Sequence, residues 1–430
     1  MRTTLGYALV LLAALAVFVY LSLNNFVGAG RDDVYISLWA GENLARGHGL
    51  VNYNFERAEI SSSLLHTVLI AALTLVAPQH TFLLNKALGL LTGAAALTVI
   101  VARRRTLFPS RALRFAAITA SLLALASSAP FLYWNLGGLE TPIQTLLLFL
   151  YGTELMAYWQ QPTRMRHVVA LVGWQCLYML VRPEGFVLIG CTVIYAALHH
   201  LRFRQSARRA LVLVIAPVAF CALLMLARYF WFGLIFPNPV YAKTSGLKLD
   251  DGFAYLSGYF TASAFAVAQL ASLAVTCAYL LYHAVRFGVR RAHTLPDGFA
   301  TIGLALPTLV VLAVVLASGG DWMEFFRFVA PTIPLLVILT VVVVAQGGIW
   351  LTVLLQRQSI VRNAVVSAAL VAVVGWLVTA NGISDGRNPV TGARSCPSAG
   401  RIGDVAQWSS VTAWETWVLA QNCAYVRDQT

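Results

Sequence analysis

The sequence predicts an all-α polytopic membrane protein. Apolar runs repeatedly reach the ~20 residues that a helix needs to cross a bilayer. Of 430 residues, 59% are hydrophobic and 11% are charged, whereas soluble domains carry about 25% charged residues. The arginines fall in short clusters between the apolar runs, as orientation by positive charge requires. The net charge of +13 is therefore a topology signal and does not point to nucleic acid as a partner.

The first apolar run, about 5–23, follows Met1-Arg2-Thr3-Thr4. A signal peptide starts this way, but the apolar core is long and Asn24-Asn25-Phe26 is a poor small-residue cleavage site. We expect a retained first helix. Further spans are expected near 82–102, 113–130, 141–159, 168–181, 185–200, 210–232, 258–285, 299–317, 329–347 and 363–380. Composition leaves the run at 63–77 ambiguous, and charge decides it. Arg103 to Arg105 with Arg111 and Arg114, then Arg164 and Arg166, then Arg202, Arg204, Arg208 and Arg209, then Arg286, Arg290 and Arg291, then Arg357 and Arg362 should all be cytoplasmic. They alternate correctly if 63–77 does not cross. That run is then a juxtamembrane helix at the outer interface. The result is about eleven crossings, with the N-terminus inside and the C-terminus outside. A transmembrane domain covers 1–380, with a long first outer loop at 24–81, and a short outer-face tail covers 381–430.

With this topology, only Glu154 and Asp297 of the 17 Asp and Glu residues lie on the cytoplasmic side. Longer outer loops explain part of that bias. In the first outer loop, Asp32 and Asp33 precede an interfacial helix over Val34 to Ala45, which Gly47 and Gly49 end. Carboxylates suit the positive end of a helix dipole, and one of them can serve as a cap. The second needs another role. Gly137-Gly138-Leu139-Glu140-Thr141-Pro142 reads as a helix start with Glu140 as its acid and Pro142 in the first turn. At Arg182-Pro183-Glu184 the proline turns the chain back. There Arg182 either pairs with Glu184 or faces an anionic ligand. Phe236-Pro237-Asn238-Pro239-Val240-Tyr241-Ala242-Lys243 is a rigid loop carrying a phenol and a cation. Gly319-Gly320-Asp321-Trp322-Met323-Glu324-Phe325-Phe326-Arg327 combines acids, aromatics and an arginine. Carboxylates opposite cations at one membrane face suit transfer from a lipid-linked phosphate. A carboxylate takes the proton of the attacking hydroxyl, and Arg or Lys binds the departing phosphate.

Arg31-Asp32-Asp33-Val34-Tyr35-Ile36-Ser37 with Glu42-Asn43-Leu44-Ala45-Arg46-Gly47-His48-Gly49-Leu50 resembles the first outer loop of the GT-C glycosyltransferases. The branch that includes the mycobacterial terminal arabinofuranosyltransferases is the most similar. The segments around Glu140, Arg182, Phe236 to Lys243 and Gly319 to Phe328 resemble later signatures of that branch, in the same order. The resemblance implies a GT-C-like fold with juxtamembrane helices in the first outer loop, a polyprenyl-phosphate-linked sugar donor, and a glycan or lipid-linked acceptor. It implies transfer on the outer face of a bacterial cytoplasmic membrane, usually with inversion. It assigns Asp32 as catalytic base with Asp33 assisting. Arg182, Lys243 and Arg327 become candidates for the donor phosphate, and Glu140, Tyr241, Asp321, Trp322 and His48 for sugar or acceptor contacts. No dedicated metal cage is visible. Some relatives use a divalent cation and others do not, which leaves Asp32 open as a ligand.

The chain departs from its relatives at Glu59-Ile60-Ser61-Ser62-Ser63-Leu64-Leu65-His66, where they carry a Gly-Tyr-Thr-Ser-Pro-Leu-Trp-like run, so the acceptor pocket is expected to differ. Cys176, Cys191, Cys221 and Cys277 lie in apolar runs and read as small buried hydrophobes. Cys396 and Cys423 lie in the tail, where an oxidising compartment permits a disulfide, with two free thiols as the alternative. Two other classes stand beside the enzyme: a lipid-linked-sugar transporter or flippase, and a non-enzymatic assembly subunit. A transporter would place ionisable groups near the midplane and show inverted repeats; few midplane charges and no internal repeat are seen. An assembly subunit would not need the Asp pair.

Overall fold

A computed structural model gives the fold. It describes residues 2–354 apart from 27, 29–32, 204–206, 244–245, 288–296 and 322. Asp32, Trp322, Cys396, Cys423, the expected span at 363–380 and the tail lie outside the described residues, as does the Lys243 side chain. Among the described residues the chain is helical, with one isolated antiparallel bridge, Val51 to Arg57.

Helix α1 (Arg2–Phe26) precedes two short helices of the first loop, α2 (Asp33–Ala45) and α3 (Leu64–Val76). These two pack on each other. At 13 residues α3 is about 20 Å long, too short to cross ~30 Å of hydrocarbon. Ser63 caps it by accepting a hydrogen bond from the His66 amide at 3.3 Å. After α4 (Thr81–Ala102) and the one-turn α5 (Arg104–Leu107), the expected span at 113–130 is broken. It divides into α6 (Arg114–Ala126) and α7 (Ala129–Leu136), bent by 57°. Pro130 stands in the first turn of the second piece, and the Ser127 hydroxyl donates back to the Leu123 carbonyl at 2.7 Å. Residues 129–136 are therefore helix, not the loop expected from 131 onward. Gly89 lets α4 approach α7: a Cβ there would lie 2.1 Å from the Asn135 carbonyl oxygen.

Helix α8 (Thr141–Gln160) is the hub, packed on α4, α9 (Met165–Val181), α15 (Ile302–Ser318) and α16 (Ile333–Leu354). Buried residues make up 17 of its 20. Near its end, Glu154 pairs with Arg103 and His167. That places Glu154 with the first arginine cluster, about 21 Å along the helix from Glu140. The chain continues through α10 (Val187–Phe203), α11 (Ala207–Phe232), α12 (Asn238–Lys243), α13 (Leu249–Thr261) and α14 (Ala264–Phe287). The expected span at 258–285 is interrupted between α13 and α14, because Ser263 accepts from the Ala266 amide at 3.1 Å and starts a new helix.

Among the described residues seven helices are long and apolar enough to cross a membrane, or eight if α6 and α7 form one bent span. The protein is a multi-pass membrane protein. Two expected spans, α8 and α9, are not among the seven. Helix α8 faces protein rather than lipid, so it carries Thr, Gln and Glu. Helix α9, with 17 residues, is about 26 Å long.

Candidate active site

Four chain segments converge on two arginines. Arg182 closes α9 with extended backbone, φ −138° and ψ 129°, as the following proline requires. Its Nε donates to Glu184 Oε1 at 2.7 Å and its Nη1 to Glu140 Oε1 at 2.7 Å. Arg327 follows a tight turn in which Phe325 (φ 50°) and Phe326 (φ 52°) are left-handed, at a cost of about 1–2 kcal/mol each. Packing holds the turn: Trp134 Nε1 donates to the Phe325 carbonyl at 3.1 Å, and the Tyr133 and Phe325 rings stack at 4.6 Å. The strained turn fixes where Arg327 points. Its Nη1 donates to Asp33 Oδ2 at 3.4 Å, and its Nη2 lies 3.8 Å from Glu140 Oε1. Its Nε faces Asp321 Oδ2 at 3.3 Å without the angle of a hydrogen bond, and neither atom has a hydrogen-bond partner among the described residues. Both guanidiniums lie over the Phe328 ring, at 5.1 and 5.3 Å from its centroid.

Glu140 is the shared anion, since one of its oxygens serves both arginines. Burial alone would push its carboxyl up. Arg327, Arg182 and His66 more than reverse that and bring it down to about 2. Arg182 is raised: burial disfavours its charge, and Glu184 and Glu140 outweigh the burial. Asp33 sits in the first turn of α2, as the dipole argument expects.

The Glu140 loop has its own support. Gly138 is left-handed at φ +73°, and a Cβ there would meet Val34 of α2 at 3.1 Å. Its carbonyl accepts from Asn85 Nδ2 at 2.7 Å, so Asn85 Oδ1 must be the acceptor facing His66 Nε2 at 2.9 Å. His66 therefore carries its proton on Nε2. Burial lowers its pKa, opposed by Glu140 and by the Asn85 bond.

The structure thus brings together Asp33, Glu140, Arg182, Asp321 and Arg327 from the sequence-derived set. Sequence reasoning left out His66 and Asn85 as site supports and Glu184 as a site member. Glu184 stood in the break at Arg182-Pro183-Glu184 and His66 at the end of the departing segment, whereas Asn85 carried no signal of its own. The described hydrogen bonds of His48 and Tyr241 are local. His48 Nδ1 is 2.9 Å from Asn43 Oδ1, and the Tyr241 hydroxyl accepts from the Phe236 amide at 3.4 Å. A second buried pair also escaped notice. Arg228 of α11 grips both oxygens of Glu59, at 2.7 and 2.8 Å, and the Glu59 carbonyl accepts from the Asn238 amide at 3.0 Å. This fixes the departing segment 56–66 to α11 and α12. Among the described residues no group of three or more His, Cys, Asp or Glu is placed to hold a metal ion. The site carboxylates face arginines instead. Chemically, the arrangement offers two fixed, buried guanidiniums side by side, with a carboxylate at the first turn of α2 within reach.

No protein-family model matches the chain, and no curated protein matches its sequence. Solved structures do match. The Archaeoglobus fulgidus oligosaccharyltransferase in the apo form is similar at 15% identity with a TM-score of 0.47, covering 88% of this chain and 56% of its own length. The crystal structure of ArnT from Cupriavidus metallidurans bound to undecaprenyl phosphate is similar at 15% identity with a TM-score of 0.52. That match covers 87% of this chain and 69% of ArnT. At such identities the likeness is one of fold, and the ArnT match carries it. The architecture is that of a GT-C-like, all-helical polytopic membrane protein.

Proposed function

We propose that this protein is an integral-membrane glycosyltransferase that moves a sugar from a polyprenyl-phosphate donor to a cell-envelope glycan or lipid acceptor. The observation that carries the reading is the convergence of Arg182 and Arg327 on one Glu140 oxygen beside Asp33. Two desolvated guanidiniums suit a leaving phosphate, where charge develops as the sugar departs. The fold's likeness to an ArnT structure holding undecaprenyl phosphate favours a donor of that kind. In the reaction an acceptor hydroxyl oxygen attacks the anomeric carbon. The bond from that carbon to the phosphate oxygen breaks, and polyprenyl phosphate leaves on Arg182 and Arg327. The hydroxyl proton passes to a carboxylate of the first loop. The GT-C resemblance gives the base role to Asp32 with Asp33 assisting, and inversion at the anomeric carbon.

Lys243 is proposed as a third cation for the donor, and Asp321, Trp322, Tyr241 and His48 as sugar or acceptor contacts. The finer reading is an arabinofuranosyltransferase-like enzyme of the bacterial cytoplasmic membrane, with a cytoplasmic N-terminus and an extracytoplasmic site. A divalent cation on Asp32 remains part of that reading to be tested by chelation. The experiment is transfer of labelled sugar from a polyprenyl-phosphate donor by purified protein, wild type against Asp32→Asn. Donor binding without transfer is the expected result for the variant. Full activity in it removes Asp32 as base, and failure of the wild type to bind donor supports an assembly role instead.

A further inference from the structure

The first loop contains a built feature that the donor site does not use. Residues 51–57 form a tight hairpin closed by the Val51 to Arg57 bridge. Asn52 organises it. Its Oδ1 accepts from the amides of Asn54 and Glu56, each at 2.9 Å, and its Nδ2 donates to Glu56 Oε2 at 2.7 Å. The hairpin holds Phe55 at φ 61°, a left-handed conformation that a phenyl-bearing residue adopts only at a cost. The result is two rings facing outward, Tyr53 at 58% exposure and Phe55 at 56%. Trp39 of α2 backs both, at 5.2 Å from Tyr53 and 5.9 Å from Phe55, and His48 stands edge-on to Phe55 at 5.4 Å.

A membrane belt also exposes aromatic rings, but this hairpin is unsuited to hydrocarbon. Exposed Asn54 and Glu56 alternate with the rings, and a carboxylate in lipid is costly. Aromatic faces with hydrogen-bonding groups at their rim suit a sugar ring, whose C–H face meets the negative face of the π-system while its hydroxyls meet the polar rim. Location adds to this. Trp39 lies six residues, about 9 Å, along α2 from Asp33. The Tyr53 phenol, pushed up by burial, is pushed up further by the charge of Asp33.

We infer that Tyr53 and Phe55 form the acceptor platform, on which a sugar ring of the acceptor glycan stacks beside the carboxylate end of α2. This rests on the glycosyl-transfer reading. The test uses the full chain in lipid nanodiscs. Saturation-transfer NMR follows the methyl glycosides of arabinofuranose, galactofuranose, galactopyranose and mannopyranose. Wild type should transfer saturation to the ring C–H protons of at least one of them. Phe55→Gly should weaken that binding about tenfold; glycine takes φ 61° freely, so the hairpin and the melting temperature should survive. Tyr53→Phe should retain binding and Tyr53→Ala should lose it. Undecaprenyl phosphate binding should be unchanged in Phe55→Gly and lost in Arg327→Ala. If wild type binds no sugar of the panel, or Phe55→Gly binds as tightly, the platform is overturned. Quenching of Phe55→Trp above wild type by doxyl-lipid would place the ring in the bilayer and overturn it as well. If sugar binds as expected but undecaprenyl phosphate does not bind wild type, the donor reading fails and the platform stands.

Discussion

Replacing Arg182 with alanine removes a guanidinium that lies 2.7 Å from Glu140 and 2.7 Å from Glu184. Glu140 is 2% exposed, so water cannot take over. In the intact site, burial is more than reversed by Arg327, then Arg182, and the carboxyl falls from 4.5 to about 2. At about 1.4 kcal/mol per tenfold change in proton affinity, that gap corresponds to ~3 kcal/mol of charge stabilisation. Breaking a buried pair by removing one partner costs about 3–5 kcal/mol. Arg327 remains, so the expected loss for Arg182→Ala is ~2 kcal/mol at pH 7. The sign follows from a depressed folded pKa. The contribution is complete above the unfolded value of 4.5 and is lost as pH falls toward 2. The difference between wild type and variant should therefore shrink on acidification. The assay is denaturant unfolding in micelles, followed by tryptophan fluorescence. A double-mutant cycle with Glu140→Gln isolates the pair, because the combined variant no longer buries an uncompensated carboxylate. A coupling energy below ~0.5 kcal/mol would refute the reasoning, as contacts that do not interact add within that margin.

Glu59→Ala should destabilise by about 3–5 kcal/mol, because it strands the buried Arg228. Glu59→Ala combined with Arg228→Leu should recover most of the loss, as micellar unfolding will show. Burial holds the His66 pKa below its ordinary 6.5, so its neutral form favours folding. That contribution is full above pH 6.5 and is lost as pH falls below it. Melting temperature should therefore drop between pH 6.5 and 5.5, and His66→Gln, whose Nε2 can still donate to Asn85, should flatten that limb. Gly89→Ala should lower expression and melting temperature sharply, since its Cβ would overlap the Asn135 carbonyl at 2.1 Å and α4 and α7 must separate. A variant as stable as wild type would show that the two helices can part at little cost.

The site was legible in the sequence wherever chemistry clustered locally. Arg182-Pro183-Glu184, Gly138-Leu139-Glu140 and Gly319 to Arg327 each announce a break in an apolar run, and alternation of arginines put them on one face. Pairings between distant segments left no such mark. Glu59 and Arg228 are 169 residues apart, and neither sits in a pattern that names the other. Asn85 and Lys86 interrupt a span as if by accident until the fold brings Gly138 and His66 against Asn85. Span boundaries were legible where helices face lipid, as in α1 and α11. The buried α8 was located as well, expected at 141–159 and found at Thr141–Gln160, although a helix that faces protein can carry Gln144, Thr153 and Glu154. The break in the span at 113–130 was carried by Ser127, Ser128 and Pro130, which hydrophobicity alone passes over.

Helix α11 buries little of its length against the bundle and packs mainly on α9 and α10. Pro217 removes a backbone donor within it. Its C-terminal end is gripped by Glu59 through Arg228, and Trp231 lies under the Arg57 guanidinium at 4.9 Å. Mechanically this is a lever with a soft joint partway along and a pin at one end. A bilayer that thickens or thins asks a lipid-facing helix to tilt, and α11 is tied through Arg228 and Trp231 to residues 57–59 of the first loop. The same chain should therefore set that segment differently in thin and thick bilayers.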